Sequence, residues 1–302
     1  MNIYFNLALE EVLFNKKSDD FLLIWRGEKS VVIGKNQNPF QETNLDYLKS
    51  NNVDLARRIS GGGAVFHDKG NINYTMIFSK KGGKFTEFSE LMLPIVDFLE
   101  EKGIKTDIGV RNEMKVMGKK ISGTAQYMKK NRILHHGTLL YDVNELLLDK
   151  VLKPKSIQIQ SNSVKSVRSD VINLINIIPE KLSVTDFVFD LKTYLMKYYN
   201  GEKYILNSDD IDETKKLINN KYHTWEWIIG YTPDFRIKES LIIDSNEYYI
   251  DILIKNGIVD YIKINLDENI LETKYLIGEK YSENLINNLS STEVNKIMSK
   301  LV

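Results

Sequence analysis

Cysteine is absent from the sequence. Its absence excludes disulfides, thiolate metal ligands and a cysteine nucleophile, so the protein cannot carry an acyl group as a thioester on its own chain. Because such a chain is suited to a reducing compartment, we expect it to be cytoplasmic. Histidine is scarce as well, with 4 residues in the whole chain, which disfavours a histidine-rich metal centre.

Net charge and long apolar runs are also missing. The 41 basic and 41 acidic residues balance, so no excess of positive charge indicates non-specific binding of nucleic acids. No apolar run approaches the length of a membrane span, and the N-terminus MNIYFNLALEEVLF has neither the basic flank nor the cleavage site of a signal peptide. We therefore expect a protein that binds neither nucleic acid nor membrane, and we expect a monomer.

The order of the predicted elements indicates an α+β fold. Helical patterns cover 3–14, 86–101 and 183–201, whereas strand-like runs such as FLLIWR, SVVIG and RILHHGTLLYD occur as hairpins rather than in strict alternation with helices. We predict mostly antiparallel mixed sheets with flanking helices over residues 1–232. The pattern restarts after Pro233 with a hairpin turn at Asn256-Gly257, which predicts a small α+β domain over residues 235–302. The basic, serine-rich segment 150–170 reads as a long loop.

The most informative run is RRISGGGAVFHDKGN at 57–71. Taken alone, its three consecutive glycines favour a tight connection between strands, and they match neither a P-loop nor a dinucleotide fingerprint. Arg57 and Arg58 occupy adjacent strand positions that face opposite ways, so only one of them can point toward the glycines. An arginine there can fork onto a carboxylate or phosphate, while bare backbone lets a ligand approach closely.

Two other adjacent pairs obey the same alternation. In GKKISGTA, at 118–125, Lys119 and Lys120 face opposite ways, and for this octapeptide alone two solvated lysines at a hairpin turn are the simpler interpretation. His135 and His136 cannot both ligate one ion, so we predict that one lines a pocket and the other forms its hydrogen bonds elsewhere. The absence of a GxSxG motif disfavours serine hydrolysis.

The run Arg111-Asn112-Glu113 precedes the lysine strand. It is either a surface turn or a source of oxygen ligands for a phosphate-bound magnesium ion, because hard cations prefer oxygen. Asn112 and Glu113 are therefore candidate metal ligands.

Together these runs resemble the lipoate–protein ligases. The resemblance rests on RRISGGGAVFHDKGN, GKKISGTA and HHGTLL, with FNLALEE, VVIGKNQNP, SVRSDVINL and WEW in matching order, and it covers nearly the whole chain. It implies a biotin/lipoate ligase-like catalytic domain and a two-step reaction. Lipoate and ATP give lipoyl-adenylate, and the lipoyl group then passes to a lysine of an acceptor domain in 2-oxoacid dehydrogenase complexes or in the glycine-cleavage H protein.

The resemblance also implies roles for single residues. Lys120 is the catalytic cation, which contacts both the lipoate carboxyl and the phosphate oxygens, and Mg²⁺ accompanies the nucleotide. The residues implied to bind ATP or the adenylate are Arg58, Gly63, Ala64, Val65, Phe66 and Lys120. Those implied to bind lipoate are Gly61, Gly62, His136 and Lys120. SVKSVRS, at 163–169, is our candidate lid.

Two alternatives stay open. The protein could be a lipoyltransferase that accepts preformed lipoyl-adenylate, or a non-catalytic lipoate-binding partner. Family members that pass the acyl group through a cysteine are excluded, because this chain has none. Glu113 stands where the family pattern leads us to expect aspartate, and this departure puts the magnesium ligands in doubt.

Overall fold

The computed structural model describes residues 2–16, 19–79, 87–266, 269–282 and 292–301. The α-helices in these ranges are α1 Ile3–Asn15, α2 Pro39–Glu42, α3 Leu45–Ser50, α4 Leu93–Glu101, α5 Glu145–Val151, α6 Val184–Tyr198, α7 Ser208–Leu217 and α8 Thr292–Leu301. The strands of the first 230 residues are β1 Phe21–Trp25, β2 Ser30–Ile33, β3 Asp54–Arg57, β4 Val65–His67, β5 Asn71–Ser79, β6 Asp107–Ile108, β7 Met114–Val116, β8 Lys119–Ser122, β9 Thr124–Lys129, β10 Arg132–Leu140 and β11 Ile159–Ser161.

The central feature is an antiparallel sheet in the order β1-β5-β10-β9. Side chains alternate along β5, so each face of the sheet has its own core. On one face, Tyr74 and Met76 pack with α4 and α6, which bring residues such as Phe98 and Leu191. On the other face, Ile77 packs with the apolar residues of α1. The sheet is therefore covered on both sides, and α1 lies directly over the face that carries Thr75 and His136.

Two small sheets lie beside the central one. In the order β3-β2-β4, β2 runs parallel to β3 and antiparallel to β4. In the order β6-β7-β8, all neighbours are antiparallel. The glycine run 61–63 connects β3 to β4, and the lysine motif forms β8. The two motifs that carry most of the chemistry thus belong to different sheets.

A second, five-stranded sheet is built from β11 together with β12 Phe235–Ile243, β13 Asn246–Lys255, β14 Ile258–Leu266 and β15 Asn269–Ile270. Its core takes in Phe40 of α2, whose ring lies 5.0 Å from that of Tyr281 and 5.6 Å from that of Phe235. The hairpin predicted at Asn256-Gly257 joins β13 and β14, with both residues at positive φ. The boundary predicted near residue 235 stays a prediction.

Two predictions of local structure were wrong in detail. The helix expected over 86–101 begins only at Leu93, with Pro94 in its first turn, where the fixed φ of proline suits a helix start. Thr86, which we expected to begin it, lies outside the described residues. The segment 150–170 is not wholly a loop, because β11 pairs with β12 as the edge of the second sheet. Among the described residues, no helix is both long and apolar enough to cross a membrane.

Candidate functional site

Two adjoining cavities lie between the glycine run, β8 and the segment 163–169. The narrow cavity has a volume of about 300 Å³, and its apolar lining includes Leu7, Trp25 and Val32. The wide cavity, of about 1020 Å³, extends toward α5 and β11. The residues that line both cavities are Ala64, Val65, Lys120, Gly123, Thr138, Lys165, Ser166, Val167 and Ser169. A ligand with an apolar part and a polar part could therefore occupy both, with the junction at Lys120.

Arg58 is the arginine that faces the glycines. Its Nη2 donates to the carbonyls of Gly61 at 2.6 Å and Gly63 at 2.7 Å, its Nη1 to the carbonyl of Val32, and its Nε to the hydroxyl of Ser60. Four of the five N–H donors of a guanidinium thus have acceptors within the protein, and the remaining one belongs to Nη1. Burial lowers the pKa of Arg58 to about 10. Arg58 lines the narrow cavity, and its guanidinium is already hydrogen-bonded to the glycine run.

Arg57 points the other way and has a different task. Its side chain is fully buried and donates to the carbonyls of Gly34, Lys35, Gln37, Trp227 and Ile228 and to the hydroxyl of Thr232. Burial lowers the pKa of Arg57 to about 9. The alternation rule was correct that only one arginine reaches the glycines. Nothing in the sequence pattern indicated that the other one ties three chain segments together.

The residues of the glycine run are placed unequally around the cavities. Gly62, at φ +87°, and Gly63 line the narrow cavity, Phe66 lines the wide one, and Ala64 and Val65 line both. Gly61 is exposed and lines neither. A side chain on Gly62 would approach Arg58 Nη2 to 3.1 Å, and one on Gly63 would lie 2.9 Å from the hydroxyl of Ser166. The space left by the missing side chains of Gly62 and Gly63 is therefore occupied by the protein's own side chains, Arg58 and Ser166.

Lys120 lies where the two cavities meet. Its Nζ would be 3.1 Å from a side-chain carbon at Gly123, so the glycine of GKKISGTA leaves room for this ammonium group. Burial lowers the pKa of Lys120, with the positive charges of Arg58 and Lys115 acting in the same direction and Glu113 opposing them. Among the described residues, no carboxylate oxygen lies within 4.0 Å of Lys120 Nζ, and Lys120 therefore has no ion-pair partner there. A half-buried ammonium group without a paired anion is suited to an anionic ligand.

His136 lines the narrow cavity and belongs to a chain of hydrogen bonds. Its Nε2 lies 2.7 Å from Ser60 Oγ, and its Nδ1 lies 3.0 Å from a carboxylate oxygen of Glu10. The other oxygen of Glu10 accepts from the hydroxyl of Thr75 at 2.5 Å. His135 is buried on the opposite face of the strand, where its Nδ1 lies 3.1 Å from Gln126 Nε2. The two histidines thus divide as the alternation predicted.

The sequence reasoning assigned no role to two residues that line the narrow cavity, Trp25 and His67. His67 is buried, neither of its ring nitrogens has a hydrogen-bond partner among the described residues, and burial lowers the pKa of His67 to about 3. The indole N–H of Trp25 is likewise without a partner there, and the two rings meet edge to face at 5.6 Å. Both side chains line the cavity. His67 belongs to the run RRISGGGAVFHDKGN, but nothing in the sequence pattern indicated Trp25.

The segment 163–169 closes over the cavities through Ser166. Its hydroxyl accepts from the backbone N–H of Ala64 at 2.8 Å and from Gln37 Nε2 at 3.1 Å, and it donates to the carboxylate of Glu42. Burial raises the pKa of Glu42. The backbone N–H of Val164 also donates to the carbonyl of Asn36. The segment predicted as a lid is therefore fastened to α2 and to the glycine run in this structure.

The candidate metal ligands do not form a magnesium site. One oxygen of the Glu113 carboxylate accepts from the backbone N–H of Arg111 at 2.9 Å, and the other lies 2.8 Å from Lys115 Nζ. Asn112 adopts a left-handed turn at φ +59°, and its carbonyl accepts from the hydroxyl of Thr124. Within the described ranges, no group of three or more metal-ligating side chains occurs. The residues present do not fit a dedicated metal site, so we derive no step through a metal.

Comparison with known proteins gives consistent matches. Residues 2–196 match the model of the lipoyl protein ligase A/B catalytic domain. The chain is 35% identical to lipoate–protein ligase 1 of Staphylococcus aureus, over 86% of this chain and 80% of that protein. A crystal structure of lipoate–protein ligase A bound with ATP superimposes with a TM-score of 0.65 at 26% identity, over 76% of this chain and 95% of that one.

An archaeal relative adds a protein partner. The bipartite lipoate–protein ligase of Thermoplasma acidophilum, analysed together with its E2 lipoyl domain, superimposes with a TM-score of 0.63 at 25% identity. The alignment covers 76% of this chain and 92% of that one. Since the catalytic-domain model spans well over half of the sequence and the bacterial relative is matched along most of its length, the chain belongs to the lipoyl protein ligase A/B family and is a ligase enzyme.

Proposed function

We propose that the protein activates free lipoate with ATP and then lipoylates a lysine of an acceptor domain. In the first step, the lipoate carboxylate attacks the α-phosphorus of ATP, a P–O bond forms, and pyrophosphate leaves. In the second step, the ε-amine of the acceptor lysine attacks the lipoyl carbonyl. An amide forms, AMP leaves, and the amine loses a proton to water.

The observation that carries the proposal is the junction of the two cavities at Lys120. The lipoyl chain is apolar and fits the narrow cavity beside Leu7 and Trp25, whereas the larger, more polar nucleotide fits the wide one. Their reacting ends, the carboxylate and the α-phosphate, then meet beside Lys120, the more buried of the two lysines that line both cavities. Two anions repel as they approach, so a fixed cation at their meeting point stabilises the transition state.

The site residues follow from this arrangement. Lys120 acts as a fixed cation rather than as a nucleophile, and Arg58 adds positive charge and holds the glycine run. Ala64, Val65 and Phe66 line the wide cavity, where the nucleotide would rest, and Gly62, Gly63 and His136 line the narrow cavity, which would take the lipoyl chain. Gly61 would contribute its carbonyl to Arg58 rather than a direct contact, since it lines neither cavity.

The acceptor is proposed from its chemistry. The amine must reach the junction while water is kept away, because a mixed anhydride hydrolyses. A small domain that presents a lysine on its surface meets that need, and the archaeal relative was analysed together with its E2 lipoyl domain. We therefore propose a lipoyl domain of a 2-oxoacid dehydrogenase complex or a glycine-cleavage H protein as the acceptor.

Pyrophosphate release tests the first step. With ATP and free lipoate but no acceptor, the enzyme should release pyrophosphate up to about one equivalent per site, because the adenylate stays bound until an amine arrives. A protein that only transfers lipoyl from preformed adenylate would release none from these substrates. It would nevertheless modify an acceptor when synthetic lipoyl-adenylate is supplied, and a non-catalytic partner would do neither.

Mass spectrometry of candidate acceptors tests the second step. Incubation with ATP, lipoate and each acceptor domain should add one lipoyl group to a domain that carries its lysine and none to a Lys→Arg version of the same domain. Replacing lipoate by octanoate in a parallel incubation measures selectivity for the acyl chain. Lack of modification in every acceptor, despite pyrophosphate release, would restrict the proposal to the activation step.

Limited proteolysis tests the lid. Lys165 and Arg168 are exposed trypsin sites in the segment 163–169, which Ser166 fastens over the cavities. If bound adenylate holds this segment closed, ATP plus lipoate should slow cleavage there, on the order of tenfold, because cleavage follows the population of the open form. Cleavage at the same rate with and without the substrates would show that the segment is not a lid.

A further inference from the structure

The Glu10–His136–Ser60 chain of hydrogen bonds has the outline of a hydrolase triad. A serine hydroxyl lies 2.7 Å from a histidine nitrogen whose other nitrogen lies 3.0 Å from a carboxylate. Two observations argue against a nucleophile. Ser60 is 1% exposed and lines neither cavity, and its oxygen already accepts a hydrogen bond from Arg58 Nε at 3.0 Å. The hydroxyl is thus closed off from a substrate and tied to a cation.

One arrangement of protons satisfies every partner in this series of hydrogen bonds. Ser60 Oγ accepts from Arg58 Nε, and the Glu10 carboxylate accepts from Thr75 on its other oxygen. Among the described residues, His136 Nε2 is the acceptor available to the hydroxyl proton of Ser60, so that proton goes to Nε2. His136 then carries its proton on Nδ1 and donates it to Glu10. The neutral Nδ1–H form of His136 is therefore the one that satisfies all partners.

We propose that Glu10, His136 and Ser60 are positioning residues that set the orientation of Arg58 and, through it, the shape of the glycine run. Arg58 Nη2 holds the carbonyls of Gly61 and Gly63, so a rotation of the guanidinium would release the run. This series of hydrogen bonds begins at Glu10 on α1, passes through His136 on β10 of the central sheet and ends at Ser60, just after β3. It thereby connects α1 to the glycine run 61–63, which we assign to ligand binding. This inference rests on the proposed function, because it assigns the run to the acyl-adenylate.

The test uses a sulfamate analogue of lipoyl-adenylate, which cannot react, and measures its dissociation constant by calorimetry. His136→Met, Ser60→Ala and Glu10→Met should each weaken binding by about 10- to 100-fold, the range expected for hydrogen bonds to charged groups. The double variant Glu10→Met/His136→Met should bind the analogue no worse than the weaker-binding single variant. The two residues act on Arg58 through the same series of hydrogen bonds, so removing either one already removes the effect of both. Glu10→Gln, which keeps an acceptor for His136, should lose less than Glu10→Met.

His135→Met is the matched control. His135 is the neighbour of His136 on the same strand and is fully buried, whereas His136 is partly exposed to the narrow cavity; His135 lines neither cavity. It should lower the melting temperature without changing the affinity for the analogue. The proposal would be overturned if Ser60→Ala and His136→Met bound the analogue with unchanged affinity. It would also be overturned if the loss of affinity in the double variant equalled the product of the two single losses, or if a fluorophosphonate labelled Ser60. Failure of the unmodified protein to bind the analogue would instead refute the proposed function.

Discussion

Lys120→Met should lower the rate of pyrophosphate release from ATP and lipoate by at least about 100-fold, the effect of removing one group that stabilises transition-state charge. The expected loss is large because Lys120 is a half-buried cation at the junction of the two cavities. The fold should survive the change. Burial lowers the pKa of Lys120, so the charged form is disfavoured in the native protein and an apolar side chain removes that cost. The melting temperature should be equal or higher.

Lys119→Met is the control for this experiment. Lys119 is the adjacent residue of β8, but its side chain is exposed and lines neither cavity. Its replacement should leave pyrophosphate release within about twofold of the unmodified rate, as for most surface changes. If Lys120→Met retained activity, or if both variants lost it equally, the role of Lys120 as the cation at the junction would be refuted.

Arg57→Met should lower the free energy of unfolding by about 3–5 kcal/mol, because several buried acceptors would each lose a donor at about 1–3 kcal/mol apiece. Arg57 is fully buried and serves six acceptors, in residues 34–37 and in residues 227–232. Burial penalises the guanidinium, but methionine would leave several buried carbonyls without donors, and that cost is larger. Urea denaturation followed by circular dichroism measures the loss.

Two further variants interpret the result. Arg57→Lys keeps the charge but offers three donors without a planar fork, so it should recover only part of the lost stability. Arg236→Met removes an arginine that pairs with Asp251 at 2.6 Å but is 40% exposed, and it should cost much less stability than Arg57→Met because solvent screens the pair. A loss of similar size at Arg57 and Arg236 would contradict the view that Arg57 ties the segments together.

Local patterns predicted much of the fold. The helix over 3–14 is α1, the helix predicted to begin at Ser183 is α6 with Ser183 as its N-cap, and the hairpin turn at Asn256-Gly257 joins β13 and β14 as predicted. These elements succeed because their periodicity and caps are contained within a few consecutive residues. The prediction failed where partners are distant. β11 is a strand only because β12, more than 70 residues later, offers an edge for pairing.

The candidate site divides in the same way. The motifs identified Arg58, Lys120 and His136 as residues of interest, and all three line the narrow cavity. The sequence could not show that most donors of Arg58 are used within the protein, or that Glu10, 126 positions before His136, completes its hydrogen bonds. It also could not show that Glu113 is already engaged by Lys115, although the departure from aspartate had put that position in doubt.

The sequence by itself determined the family, the class of fold and the absence of a cysteine route, because these depend on residue identity and order. Only the tertiary structure decided which of two adjacent arginines holds the glycine run and which braces the fold. It also decided that Lys120 stands where an apolar cavity meets a polar one. The reason is physical: strand alternation fixes opposite directions for neighbouring side chains, but what lies in each direction depends on segments that are remote in sequence and brought together only by packing.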